Sequence, residues 1–217
     1  EEDVPRYHGA WPHWFHGSTG ETIAFSTYDD AADLVETALL MQGMLTVREY
    51  FDGADETEVE IRERTTRLWE EVEWDWFLNG TDTLYWHWSP THEWQMNMPI
   101  RGYHEGLITY ILAIASPTHS ISPSTYYDGW ASSAYAYGKE SYGHRQWVGA
   151  ELGGPLFFTH YSFLALDPRD KRDNYCNYFE NSRNIALIHQ AYAIENPGAY
   201  EGYGENAWGL TASVNPW

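Results

Sequence analysis

The sequence predicts an all-α fold in which two layers of helices pack against each other. Two segments, residues 34–47 and 107–115, are apolar on nearly every side, which is typical of buried helices. Between them, residues 57–78 combine a narrow apolar stripe with many acidic side chains, a pattern that indicates an amphipathic outer helix. Buried helices that alternate with an exposed one predict an inner and an outer layer.

The first two helices have clear boundary signals. The first spans residues 29–51 and follows two capping candidates, Ser26 and Thr27. The second spans residues 57–78 and ends at the turn-forming pair Asn79-Gly80. Its apolar stripe is formed by Ile61, Leu68, Val72 and Trp76. We therefore expect the first helix to be more buried than the second.

Proline residues mark the next two helices. Pro99 opens the third helix, residues 99–116, at a favourable first-turn position, and its apolar character predicts that it is buried. Pro155 opens a short fourth helix, residues 155–166. Both predictions use the fixed φ of proline, which suits the first turn of a helix.

The remaining segments complete a single-domain prediction. A fifth helix is predicted over residues 173–196, and the tail beyond it is predicted to be loop. Residues 118–154 are rich in Ser, Gly and Tyr and are predicted to be long loops, which are often functional. At 217 residues, with no linker or repeat, the chain fits one catalytic domain over residues 1–217.

Composition excludes several classes of partner. The formal net charge of −20 repels phosphate backbones, so no nucleic-acid partner is predicted. No segment approaches the ~20 continuous apolar residues of a membrane span, so no membrane insertion is predicted. Cys176 is the one cysteine, which excludes an internal disulfide framework. We predict a monomer whose partner, for the reasons given below, is an oligo- or polysaccharide substrate.

Three acids form the first candidate site. Asp29, Asp33 and Glu36 lie four and three residues apart, so on a continuous helix they would share one face. The alternative is a solvated first turn, where acids favour the helix dipole. An acid cluster at the mouth of a buried helix is what a catalytic site needs.

Glu105 is the second candidate acid. It lies in the predicted first turns of the apolar third helix, between Gly102 and Gly106, where glycine permits close approach of a ligand. A carboxylate among apolar groups has a raised pKa, which suits a general acid. The alternative is an ordinary ion pair with Arg101 or another arginine.

Aromatic residues point to a carbohydrate ligand. The chain has 12 Trp and 17 Tyr. Pyranose rings present apolar C–H faces that stack on aromatic rings, while their hydroxyl groups need polar partners. The aromatic residues nearest the candidate acids in sequence are the predicted sugar-binding residues: Trp11, Trp14, Trp86, Trp88, Trp94 and Tyr103.

Metal and cofactor motifs are incomplete. His104-Glu105 begins like the zinc motif H-E-x-x-H, but Ile108 occupies the second histidine position. His13 and His16 lack further obvious ligands in the sequence. The sequence therefore predicts neither a metal nor a cofactor.

Several Trp-rich strings resemble a known family. They include His8-Gly-Ala-Trp-Pro-His-Trp14, Asp33-Leu-Val-Glu-Thr-Ala38, Glu73-Trp-Asp-Trp-Phe77, Tyr85-Trp-His-Trp-Ser-Pro90, Gln95-Met-Asn-Met-Pro99 and Gly153-Gly-Pro-Leu-Phe-Phe-Thr-His-Tyr161. The chain resembles, over about residues 8–213, the glucoamylase-like family that contains the endo-β-1,2-glucanases of glycoside hydrolase family 144.

The resemblance implies a fold and an activity. It implies an (α/α)6 toroid, of which this chain would be an incomplete portion, and hydrolysis of β-1,2-glucan with inversion, outside the cytoplasm in the periplasm or extracellular space. It further implies that Glu105 is the general acid and that Asp29, Asp33 and Glu36 are the other functional acids, among which the base stays open. Two alternatives remain: a transglycosylase like the similar domain of cyclic β-1,2-glucan synthases, or a sugar-binding module without turnover.

Overall fold

The computed structural model describes residues 4–131, 135–209 and 211, and this part of the chain is rich in helix, as predicted. The α-helices are α1 (Leu34–Tyr50), α2 (Glu56–Glu70), α3 (Leu107–Ala115), α4 (Phe157–His160) and α5 (Tyr178–Glu195). The strands are β1 (Trp14–Phe15), β2 (Thr22–Ile23), β3 (Ala32–Asp33), β4 (His87–Trp88), β5 (Ala136–Ser141) and β6 (His144–Val148). They pair as three antiparallel two-stranded sheets, β1–β2, β3–β4 and β5–β6.

The described chain forms two compact units. The first contains residues up to Arg101 together with Gly106–Trp130, and the second contains Gly102–Glu105 together with residues from Ala131 onward. Short helical turns supplement the α-helices: 3₁₀ turns at Trp76–Leu78, Glu151–Gly153 and Tyr161–Phe163, and a π-helical turn at Tyr126–Trp130. None of the described helices combines the length and apolar character that a membrane span requires.

In the first unit, α1 packs against both α2 and α3. The predicted order of burial is confirmed. Helix α3 buries six of its nine residues and α1 six of its seventeen, whereas α2 buries only Thr65 and Leu68. The exposed face of α2 carries acids, which is the amphipathic pattern that the sequence indicated.

Two predicted helix starts are wrong, for the same physical reason. Helix α1 begins at Leu34 rather than residue 29, because Ala32 and Asp33 pair with β4 in an extended conformation. Helix α3 begins at Leu107 rather than Pro99, because Pro99 bridges to Tyr85. Long-range backbone pairing therefore takes residues that local signals assign to helix.

The second and fifth predicted helices are shorter than expected. Helix α2 ends at Glu70, and a separate 3₁₀ turn at Trp76–Leu78 follows, with Asn79 in the left-handed conformation as predicted for a turn. Helix α5 begins at Tyr178, because the Asn177 side chain accepts a hydrogen bond from the backbone N–H of Glu180 and so caps the helix there.

The prediction of long loops over residues 118–154 is wrong in its centre. Strands β5 and β6 form a hairpin there, connected by Tyr142 and Gly143, which both have positive φ angles of 54° and 75°. Positive φ at both central residues is typical of a tight hairpin turn with the right-handed twist of its strands. A tyrosine rarely adopts this conformation, so the turn lacks the usual Asn-Gly signal.

The second unit is organised around α5. This helix packs against β6 and the 3₁₀ turn at Glu151–Gly153. The buried Asn181 side chain accepts hydrogen bonds from the backbone N–H groups of Trp147 and Val148, at 2.9 and 3.3 Å. These hydrogen bonds pair buried polar groups and hold the hairpin against the helix.

The N-cap of α1 gives a testable expectation. We expect Asp33→Ala to lower the free energy of unfolding by more than the ~0.5–2 kcal/mol of an ordinary cap. Asp33 is fully buried, so its removal leaves buried hydrogen-bond donors without an acceptor. The matched control is Asp55→Ala, which removes the equivalent but exposed cap of α2. Urea denaturation of both variants measures the difference, and equal losses would contradict this account of Asp33.

Candidate active site

Asp33 stands at the centre of the candidate site in the first unit. Its Oδ1 atom accepts hydrogen bonds from the backbone N–H groups of Val35 and Glu36, at 3.0 and 2.9 Å. These are orphan donors of the first turn of α1, so Asp33 is the N-cap. The capping role expected of Ser26 or Thr27 therefore belongs to Asp33 instead.

His13 is brought to Asp33 by backbone pairing. Pro12 bridges to Ala32, and the backbone N–H of Asp33 donates to the carbonyl of Trp11 at 2.8 Å. The Nδ1 atom of His13 then lies 2.8 Å from Asp33 Oδ2. Because a carboxylate can only accept, Nδ1 carries the proton. This hydrogen bond, followed by the charges of the nearby acids, raises the pKa of His13.

Asp29 is not on a helix, contrary to the sequence prediction that it shares a helical face with Asp33 and Glu36. It lies in a turn before β3, where its carbonyl accepts from the backbone N–H of Phe25 at 2.8 Å. The turn nevertheless brings Asp29 close to Asp33. Burial, followed by the negative charge of Asp33, raises the pKa of Asp29 to about 6.

His87 is the buried neighbour of Asp29. Its Nε2 atom lies 3.4 Å from Asp29 Oδ1, and burial lowers the pKa of the imidazole, which favours the neutral ring. In the described residues, His87 Nδ1 is buried without a hydrogen-bond partner. The Nε2 atom of His87 also accepts a hydrogen bond from the backbone N–H of Ala31 at 3.4 Å, which is consistent with a neutral ring.

The cluster also has the composition of a cation site. One ligand atom each from His13, Asp29 and Asp33 can be chosen so that all lie within 4.8 Å of one another. Binding a metal through His13 Nδ1 would require loss of the proton that this atom donates to Asp33. The oxygens of Asp33 are already engaged by the helix cap and His13. The residues therefore fit an acid–base site better than a metal site.

Glu36 completes the acid group. It is half-buried in the first turn of α1, and its charge contributes to the raised pKa values of both His13 and Asp29. The charges of Asp33 and Glu36 thus both act on Asp29, although only Glu36 lies on the helix itself.

Glu105 lies in the second unit. Its side chain is 13% exposed, and its Oε2 atom lies 3.5 Å from His104 Nδ1. The Ser162 hydroxyl donates to the backbone carbonyl of Glu105 at 2.8 Å and so anchors this residue. Arg101, considered from the sequence as a neutralising partner, donates to the Thr83 hydroxyl at 2.7 Å.

The predicted sugar-binding aromatics fall into two groups. Trp11 and Tyr103 are buried, and Tyr103 makes a hydrogen bond with Thr159 at 3.0 Å, so both contribute to packing. Trp14 is 46% exposed and packs edge-on against His13. The others, all partly exposed in the first unit, are Trp86, Trp88 and Trp94.

Sequence reasoning missed the histidines of this site. The sequence marks His13 only as an incomplete metal motif and as part of a Trp-rich string, and His87 only as part of another such string. A signal existed, since both lie in strings rich in Trp and Pro. Their pairing with acids 20 and 58 positions away in the chain depends on β3, which local patterns do not predict.

Buried carboxylates, histidines and partly exposed tryptophans on a helical scaffold define a class of site suited to carbohydrate chemistry. Residues 97–217 match the model of the Glycoamylase family, whose description is "Putative glucoamylase". This match covers more than half of the chain, and the chain belongs to that family.

Several similar proteins are named for the hydrolysis of β-1,2-linked glucans or glucooligosaccharides. The chain is 46% identical over 237 residues to an exo β-1,2-glucooligosaccharide sophorohydrolase (non-reducing end) of Parabacteroides distasonis, covering all of this chain and 33% of that protein. A structure of an endo-β-1,2-glucanase from Chitinophaga pinensis, in complex with sophorotriose and glucose, is 48% identical with a TM-score of 0.94. That match covers 99% of this chain and 53% of the other.

A β-1,2-glucanase structure from Parabacteroides distasonis is 45% identical with a TM-score of 0.95, covering all of this chain and 34% of the other. The chain therefore spans between a third and about half of the length of these relatives.

The raised pKa of Asp29 predicts a pH-dependent stability effect. The folded carboxyl titrates near 6 rather than its ordinary 3.8, so the folded state binds more protons between these values and loses stability as pH rises through them. At about 1.36 kcal/mol per pKa unit, the cost above pH 6 is up to roughly 3 kcal/mol.

We therefore expect Asp29→Asn to unfold at higher urea concentration than the wild type at pH 7.5, with little difference near pH 4. The control is Asp82→Asn, at an exposed position. If Asp29→Asn is less stable than the wild type at pH 7.5, the buried Asp29 carboxylate does not destabilise the folded state and this account is wrong.

Proposed function

We propose that the protein containing this chain is a glycoside hydrolase that cleaves β-1,2-linked glucan internally and with inversion of configuration. The observation that carries this proposal is the cluster of Asp29, Asp33 and His13, in which one buried acid has a pKa of about 6. The β-1,2-glucan hydrolases to which the chain is similar support the substrate.

The roles divide between two carboxyl groups. In an inverting hydrolase, one carboxylic acid protonates the departing oxygen and one carboxylate takes a proton from the attacking water. We assign the first role to Glu105, whose side chain is shielded from solvent and whose buried Oε2 accepts no hydrogen bond from the described residues.

Asp29 is the best candidate for the base. A general base works best when its pKa lies near the operating pH, and the Asp29 pKa of about 6 suits an operating pH near neutral. Asp33 is engaged by two backbone N–H groups and by His13, so its oxygens are less available for water. Glu36 is the remaining alternative.

The fold proposal follows the same family. The proposed fold is an (α/α)6 toroid, of which this chain would supply part. The buried helices α1 and α3 are consistent with its inner layer, and the exposed helix α2 is consistent with its outer layer. We propose that residues 1–217 belong to one catalytic domain, and that the protein acts in the periplasm or outside the cell. The first proposal is tested by a structure of the complete protein and the second by cell fractionation.

Two other functions are distinguished by one assay. Incubation of the full-length protein with linear β-1,2-glucan yields shorter products from a hydrolase and rearranged or cyclic products from a transglycosylase. A sugar-binding module without turnover leaves the polymer unchanged. The anomer released, followed by NMR, tests inversion.

Replacement of Glu105 tests the acid. We expect Glu105→Gln to lower kcat by about 10²–10⁴-fold while substrate binding is retained, because glutamine keeps the shape but carries no transferable proton. Glu63→Gln, on the exposed face of α2, is the matched control. Near-normal turnover by Glu105→Gln would remove this residue from the mechanism.

The pH profile tests the base. If Asp29 accepts the proton, log kcat/KM should fall by about one unit per pH unit below pH 6. Asp33→Asn retains a good cap but removes the negative charge that raises the pKa of Asp29, so the acid limb should move to lower pH. An acid limb well below pH 5 in the wild type would exclude Asp29 as the base.

A further inference from the structure

A pocket in the first unit lies apart from the candidate active site, because its lining includes none of the acids discussed above. Its volume is about 430 Å³, within the range of small-molecule sites. It is lined by Glu73, Asp75, Trp76, Asn79, Gly80, Trp94 and His119, and we call it the Trp76 pocket. The sequence placed Trp76 in the apolar stripe of an outer helix, but the residue lies on a separate 3₁₀ turn and is 42% exposed.

One wall of the Trp76 pocket is aromatic. The rings of Trp76 and Trp94 have centroids 6.3 Å apart and planes inclined by 32°. This separation is that of directly packed aromatic rings, so the two indoles form one continuous surface rather than a slot. An exposed aromatic surface within a concave pocket is typical of a ligand-binding site.

The Trp76 ring is held in place before any ligand binds. His8 stacks on one of its faces, with centroids 3.9 Å apart and planes inclined by 13°. The Nδ1 atom of His8 in turn donates to Glu73 Oε2 at 2.8 Å. A ring fixed in this way loses little conformational freedom on binding, which favours affinity.

The rest of the lining is polar. Asp75 and His119 are paired at 3.1 Å, and both are substantially exposed. Together with Glu73 and Asn79 they offer carboxylate and amide groups, which can bind hydroxyl groups as acceptors and donors. The two carboxylates repel anions, and each already has a histidine partner, which reduces the attraction for a free cation. A neutral ligand with one apolar face and several hydroxyl groups fits this lining best.

We propose that the Trp76 pocket binds a glucose unit of a β-1,2-glucan chain, separately from the acids that cleave it. This inference rests on the proposed function for the identity of the sugar. The aromatic contacts continue from the pocket toward the acid cluster within the first unit. The Trp88 ring packs edge-on against Trp76 at 6.1 Å, and Trp88 pairs in β4 with Ala32, next to Asp33.

A site of this kind makes recognition depend on chain length. Only a glucan long enough to reach both the acids and the Trp76 pocket can use the indole surface. The affinity for short oligosaccharides bound at the acids should not depend on the Trp76 pocket.

The test compares Trp76→Ala with the wild type in the full-length protein. We expect Trp76→Ala to weaken the binding of long linear β-1,2-glucan by about tenfold, measured by calorimetry, and to raise KM for this polymer similarly with kcat little changed. Binding and turnover of sophorotriose, a β-1,2-linked glucose trisaccharide, should be unchanged by Trp76→Ala. Asp75→Ala, at an exposed position where substitution leaves the core intact, should give a smaller loss in the same direction.

Controls separate this inference from the proposed function. Tyr50→Ala removes a 77% exposed aromatic ring at the far end of α1 and should bind both ligands like the wild type. Unchanged glucan affinity in both pocket variants, or an equal loss for the polymer and the trisaccharide, would overturn the inference even if hydrolysis is normal. Loss of polymer binding in a protein that does not hydrolyse glucan would support the pocket and reject the proposed activity.

Discussion

The candidate site of the first unit depends on the buried carboxylate of Asp33. One oxygen binds the free N–H groups at the start of α1, and the other accepts a proton-bearing nitrogen of His13. Its charge also raises the pKa of Asp29. The position of this carboxylate is set by backbone pairing of β3 with β4, so the helix start and the acid cluster are built by the same contact.

Asp33 and Asp29 are both buried, but the cost of burying their negative charge is reduced in different ways. A buried charge is costly unless hydrogen bonds compensate it, and Asp33 has three donors. Asp29 has fewer, and its pKa rises instead. Carboxyl groups in contrasting environments are how proteins obtain acids and bases with different roles at one pH. The same contrast makes Asp29 a source of instability, as is common at functional sites.

The sequence predicts those features that depend on local periodicity. The helix-rich character and the order of burial follow from spacing and apolar patterns. The three acids do come close to one another, but through the turn before β3 and not through the shared helical face that their spacing predicts. The sequence does not predict features formed by residues far apart in the chain. Strands β3 and β4 are only two residues each, too short for an alternating pattern, yet they determine where α1 begins and where His87 lies.

The hairpin of the second unit was missed for a different reason. Its turn uses Tyr142 at positive φ, where Asn or Gly is usual, so the local signal for a hairpin is weak. The pairing is supported from outside the hairpin by Asn181 of α5, which binds two backbone N–H groups at β6. Tertiary contacts here compensate for an unfavourable turn residue.

The aromatic residues of the first unit have two different roles, core packing and surface contact, and together these explain why they are so many. Trp11 is buried in the core, whereas Trp76, Trp88 and Trp94 keep part of their surface exposed while packing against one another. Rings that support each other are already ordered, so a ligand gains their contact area without paying for their immobilisation. Under the proposed function, a linear polymer of repeating sugar units would contact a row of such surfaces, whereas the acids would contact only the unit at which the bond is broken. Extended aromatic contact together with a compact acid cluster therefore favours the proposed polysaccharide substrate over a single sugar.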